Sequence, residues 1–100
     1  MQNFPKKSRF TLGKKVDGLF IEVLELIFIA GYLPREHKLP YLKKAVGRFD
    51  LLKFFIQISW ETKILDNKRY VGISGQLDEI GKMLGGWVRQ LLKQTSAPQS

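Results

Sequence analysis

The chain contains no cysteine and one histidine, His37, in 100 residues. Without thiols there is no disulfide and no thiolate nucleophile, which fits a reducing compartment and leads us to expect a cytoplasmic protein. A lone histidine cannot complete a zinc site, and His37, in an expected loop between Arg35 and Lys38, reads as a solvated surface residue. No Glu-x-x-His pair accompanies Glu22 and Glu25, so a di-metal bundle is not expected. Those carboxylates read better as solvated groups or as partners for lysines on a neighbouring helix. Ser59 and Ser74 have no activating base, and Gly81 to Gly86 is followed by no Gly-Lys-Ser. We therefore expect no catalytic residue, metal or cofactor. The most apolar run, Leu19 to Leu33, holds two glutamates and is too short to span a bilayer. The opening Met-Gln-Asn-Phe-Pro-Lys-Lys lacks the order of a signal peptide. Sustained period-two alternation is missing too, which excludes strands.

What the sequence does have is helical periodicity. Leu12, Val16, Leu19, Val23, Leu26, Ala30 and Leu33 alternate four and three apart, predicting one apolar seam on a helix over about 8–32. Ser8 is its candidate N-cap, and Gly31-Tyr-Leu-Pro34 its stop. A second helix, about 40–65, would carry Pro40 in its first turn and the seam Leu42, Ala45, Phe49, Leu52, Ile56 and Ser59. A third, about 67–94, follows an Asp66-Asn67 cap and carries Tyr70, Ile73, Leu77, Ile80, Leu84, Trp87 and Leu91. It holds Gly72, Gly75, Gly81, Gly85 and Gly86, each costing about 1 kcal/mol against alanine. The unbroken beat predicts a continuous helix, the alternative being a break at Gly85-Gly86. Residues 95–100 read as a flexible tail. Short connections force the helices up, down and up in one all-α domain over 1–100.

Apolar residues also occupy the faces opposite the seams. Ile21, Leu24 and Phe28 on the first helix, with Leu51, Phe54, Phe55, Ile58 and Leu65 on the second, would leave a three-helix monomer with a large exposed apolar surface. Another helix or neighbouring subunits should cover it, the alternative being a wider single face that buries these residues. Ile21, Leu24, Phe28, Phe54, Ile58, Gly85 and Gly86 are the expected oligomer interface, the glycines permitting close helix approach.

Charge supplies the partner class. Seventeen Lys and Arg against nine Asp and Glu leave a net charge of +8, which suits a polyanion. Folded up, down and up, the chain gathers Lys6, Lys7, Arg9, Lys14, Lys15, Lys63, Lys68 and Arg69 at one pole. Arg35, Lys38, Lys43, Lys44, Arg48, Arg89 and Lys93 gather at the other, with Glu22, Glu25, Asp50, Asp78 and Glu79 nearer the middle. Lys6, Lys7, Arg9, Lys14, Lys15, Lys68 and Arg69 are the candidate nucleic-acid contacts, made without sequence specificity since no base-reading motif is present. The alternative is a solvated basic face that serves solubility.

Phe4-Pro5-Lys6-Lys7-Ser8-Arg9-Phe10-Thr11-Leu12-Gly13, Leu51-Leu52-Lys53, Leu65-Asp66-Asn67-Lys68-Arg69-Tyr70 and Asp78-Glu79-Ile80-Gly81-Lys82-Met83-Leu84-Gly85-Gly86-Trp87 together resemble one bacterial group. This is the four-helix-bundle family of 23S rRNA intervening-sequence proteins, which also holds the accessory variability determinant (Avd) proteins of diversity-generating retroelements. The resemblance covers most of residues 4–94. It implies an up-and-down four-helix bundle assembled as a ring-shaped homopentamer with a basic surface and, for the retroelement branch, an accessory that binds a reverse transcriptase and RNA. The family carries a helix ahead of the Phe-Pro-Lys turn, where only three residues stand here. Either the chain starts late, at an internal methionine, or this member has lost that helix; uncovered apolar faces are what its absence would leave. The functional expectation is a non-enzymatic nucleic-acid-binding accessory, the alternative a helical module whose partner is only protein.

Overall fold

The computed structural model describes the backbone of residues 6–96 and the side chains of 11–93. Three helices follow one another: α1 (Lys6–Tyr32), α2 (Arg35–Glu61) and α3 (Asn67–Ser96). They are 27, 27 and 30 residues long, and no strand occurs among the described residues. The up-down-up order follows from two short connections. α3 runs without a break through Gly85-Gly86, so the seam periodicity outweighs the propensity cost of its glycines. It ends at Ser96, slightly past the expected Gln94; residues 97–100 of the expected tail lie outside the described residues.

Three boundaries differ from expectation. α1 already begins at Lys6, placing Ser8 inside the first turn rather than at the N-cap. α2 begins at Arg35, with Pro34 extended at the N-cap (φ −60, ψ 156), so Pro40 and His37 lie inside the helix. Pro40 removes only the bond to the Glu36 carbonyl, and Glu36 is exposed, where water can replace it. The extra turn is worth its proline because it packs Leu39 on the core. It also brings Lys38 Nζ to the Ala30 carbonyl at 2.7 Å, satisfying a free acceptor at the end of α1.

The third difference is the end of α2, at Glu61 rather than 65. Lys63 adopts φ 66, the left-handed region normally left to glycine. Its N–H donates to the Trp60 carbonyl at 3.0 Å, and that of Ile64 to the Ser59 carbonyl at 2.9 Å. These two bonds make a Schellman motif closed by a lysine. Asp66 then caps α3, its Oδ1 accepting from the Arg69 N–H at 2.8 Å. Trp60 stacks on Tyr70 at 4.5 Å between ring centroids and donates its indole N–H to Asn67, tying the two helix ends together.

α2 is the middle of the structure. All six expected seam residues on it, Leu42, Ala45, Phe49, Leu52, Ile56 and Ser59, are buried, and the Ser59 hydroxyl is satisfied by the Phe55 carbonyl at 2.9 Å. Leu19, Val23 and Ala30 of α1 and Leu77, Leu84 and Leu91 of α3 complete the core. α1 and α3 each pack closely on α2, while among the described residues no Cα of one comes within 8 Å of a Cα of the other. An open cleft therefore runs between them. Two cavities mark it, one of about 310 Å³ lined by Ile27, Ile80, Met83, Leu84 and Trp87, and one of about 250 Å³ around Val16, Phe20, Ile73 and Leu77.

All nine glycines are helical and none takes positive φ. Gly81 has a packing reason: a Cβ there would sit 3.0 Å from Cε2 of Phe49, so the missing side chain lets α3 settle onto the central ring. The turn makes its own test. Lys63→Gly should raise unfolding stability by about 1 kcal/mol, because glycine enters the left-handed region without a Cβ clash. Asp66→Ala should lower it by about 1 kcal/mol through removal of the cap. Urea titrations of the two variants, showing shifts of opposite sign, would establish that this turn is set by backbone geometry and capping.

Candidate nucleic-acid interface and assembly faces

The up-down-up order brings the N-terminal ends of α1 and α3 together beside the C-terminal end of α2. Lys14, Lys15, Lys63, Lys68 and Arg69 are all exposed at this pole. Lys6, Lys7 and Arg9 occupy the first turn of α1, but their side chains lie outside the described residues. The pole is not purely basic: exposed Glu61 and Asp66 share it, Glu61 accepting from Gln57 at 3.0 Å and Asp66 capping α3.

At the opposite pole the expected cations divide into two groups. Lys38 is held by the Ala30 carbonyl, with its ammonium 5.7 Å from the Trp87 ring centroid, so it ties all three helices together. Arg48 pairs with Glu22 at 3.5 Å across α1 and α2, giving Glu22 a neighbouring-helix partner that is an arginine rather than the expected lysine. Arg35, Lys43, Lys44, Arg89 and Lys93 remain exposed, with Glu36 the acid among them. Lys53, nearer the middle, pairs with Asp78 at 3.8 Å. Both ion pairs are half in solvent and contribute little to stability.

Cation placement runs against helix stability. A helix N-terminus carries partial positive charge and favours acids. Here α1 opens with Lys6, Lys7 and Arg9, α2 with Arg35 and Lys38, and α3 with Lys68 and Arg69. Neither α1 nor α3 has an acid in its first turn, and only α3 has a basic residue in its last.

The expected assembly residues are mostly in solvent. Ile21 and Leu24 are about half exposed, Phe28 is 64% exposed and Phe54 53%, while Ile58 is half-buried. They fall on two separate surfaces. Ile21, Leu24, Phe28 and Tyr32 follow helical spacing down the side of α1 turned away from α2, with the Phe28 and Tyr32 rings edge to face at 4.8 Å. Of the residues expected on the outer face of α2, only Phe54 stands exposed: Leu51 and Phe55 are partly buried against the core, because they flank the seam rather than oppose it. Gly85 and Gly86 are covered from within α3, since the Arg89 guanidinium lies 3.4 and 3.8 Å from where their Cβ atoms would be. Periodicity overlooked Phe20 and Met83 at the cleft, the latter 73% exposed. Each adjoins a seam residue, Leu19 or Leu84, and that adjacency was the available signal of a seam too wide for one neighbour.

Among the described residues, no group of three His, Cys, Asp or Glu side chains could hold a metal ion, and no helix is long and apolar enough to cross a membrane. The sequence pattern of the bAvd-like family matches residues 1–91. No curated protein and no solved structure matches the chain.

The division of the basic residues can be measured. Lys38→Met should cost about 1 kcal/mol in denaturant unfolding, since it removes a charged hydrogen bond at a part-buried helix end. Lys43→Met, with nothing to lose in the fold, should change stability by less than about 0.5 kcal/mol.

Proposed function

The chain belongs to the bAvd-like family, and from that membership and its charge pattern we propose a non-enzymatic nucleic-acid-binding accessory, the Avd-type partner of a diversity-generating retroelement reverse transcriptase. The observation that carries this reading is the cations crowded into the first turns of α1 and α3, where no acid accompanies them. Lysines serving only solubility could sit anywhere on the surface, and at helix C-termini they would add stability. Placed at N-termini they cost stability and add their field to that of the helix ends, an arrangement that suits phosphate. With no base-reading motif, binding would rest on phosphate contacts and be indifferent to sequence.

The reading includes self-assembly, five copies being the number the family resemblance suggests. The exposed stripe on α1, with Phe54 of α2, supports association. It equally suits a helical module with a protein partner alone, which is the second reading. In solution, light scattering at micromolar concentration should give a mass well above the 11.6 kDa protomer, and Phe28→Glu should reduce it before it unfolds the chain. A monomer at that concentration would refute the assembly.

Nucleic-acid binding is tested by fluorescence anisotropy on a labelled single-stranded RNA across a salt titration. Affinity should fall steeply with salt, and Lys6→Glu, Lys7→Glu and Arg9→Glu together should weaken it. The sharper test is Lys68→Glu with Arg69→Glu. Glutamate at 69 would complete a capping box with Asp66, so this variant should be as stable as the parent or more so by about 0.5 kcal/mol. Its salt slope should nonetheless be shallower by about 0.7 for each phosphate that the protein no longer neutralises. Unchanged binding in both variants would favour the protein-only module.

A further inference from the structure

Opposite its apolar seam, α3 carries a second periodic pattern. Lys68, Gly72, Gly75, Glu79, Lys82, Gly86, Arg89 and Lys93 alternate four and three apart along the whole helix, and at that spacing they share one face. Four of the eight are cations, three are glycines and one is an acid. The face points away from α2, which meets α3 through Tyr70, Leu77, Gly81 and Leu84. Lys68, Lys82, Arg89 and Lys93 hold no ion pair among the described residues, and Lys68, Arg89 and Lys93 stand well out in solvent. The nearby Asp78 is engaged by Lys53.

We propose that this outer face of α3 is a track for the sugar–phosphate backbone of a nucleic acid. The track extends the proposed nucleic-acid reading and rests on it: it starts at Lys68, beside the α1 N-terminus, and runs to Lys93, joining the two basic poles over about 37 Å of helix. Charge complementarity selects the occupant, since an excess of unpaired cations on one face favours a polyanion over an apolar or basic partner. The glycines add shape. Among the described residues no atom lies within 4 Å of a Cβ built at Gly72 or Gly75, so no described packing contact accounts for the helix stability they forgo. Their absent side chains lower the surface between Lys68 and Lys82 and let a phosphate chain approach the helix backbone. At the far end the exposed Arg89 guanidinium lies in the space that side chains at Gly85 and Gly86 would fill. A guanidinium so placed can donate to a phosphate bidentately.

Two variants and one footprint test the track by anisotropy on the same RNA. Lys82→Glu, Arg89→Glu and Lys93→Glu together should lower affinity at least about tenfold near 0.1 M salt and flatten the log–log salt slope by about 2. Gly72→Leu with Gly75→Leu keeps every charge and has room to fold, and leucine is the better helix former. It should leave helicity intact and still weaken binding, a result that a purely structural role for the glycines would not give. In the unaltered protein, bound RNA should protect Lys68, Lys82 and Lys93 from acetylation while Lys53 changes little. If the parent binds with salt sensitivity but either variant binds as well as the parent, or the three lysines stay as reactive as before, the track is overturned and the broader nucleic-acid reading stands. If the parent shows no salt-sensitive binding, that reading fails and the track fails with it.

Discussion

Two helices compete for one. The seam of α2 is the surface on which both α1 and α3 are packed, and each of its six members from Leu42 to Ser59 is buried. The closest approach within it is the Phe49 ring against Gly81. The bare backbone at 81 lets α3 come in over a bulky central residue, and the register of Lys53 against Asp78 and of Trp60 against Tyr70 continues the same antiparallel pairing. Because α2 is shared, neither flanking helix is enclosed. The inward sides of α1 and α3 meet across a cleft rather than a core, leaving Phe20 and Met83 in solvent. The apolar surface left open at the cleft thus follows from packing two amphipathic helices about a central one.

Periodicity made the helices, their order and their buried residues legible. The seams assigned from spacing contain every buried apolar residue of the core, because a stripe repeating every three and four residues has one face to bury. Continuity of α3 through Gly85-Gly86 was readable on the same ground. The helix ends were less so, since each depends on a local bond with no periodic signature. Pro40 lies well inside α2 because Leu39 and Lys38 gain partners from the turn ahead of it. The exit from α2 is closed by Lys63, a residue with no special preference for the left-handed region, so no glycine announced it. At Ser8 the reverse applies, a good capping residue lying inside the helix it was expected to open.

The candidate site was legible as charge but not as geometry. Lysines and arginines do gather towards the two poles, yet Lys38 and Arg48 are occupied within the fold, and Glu61 and Asp66 share the pole that composition suggests is basic. The cations facing out along α3 leave no mark on an apolar seam, which identifies the opposite face only as solvent. Taken by itself, that face has as regular a beat as the core.

Among the described residues no Cα of α1 comes within 8 Å of one of α3, so the backbone of each outer helix packs closely only on α2, as in two helical hairpins with one member in common. Coupling between the outer helices therefore runs mainly through α2, as between neighbours in a short repeat array, with Lys38 and the side chains lining the cleft as the direct links. Either outer helix can detach while the other hairpin keeps its own contacts, so opening proceeds in units smaller than the whole domain. Amide hydrogens of α2, which exchange only when both neighbours have left, should be the slowest in the molecule, and a bound nucleic acid or subunit clasping α1 and α3 together would turn this stepwise opening into a single event.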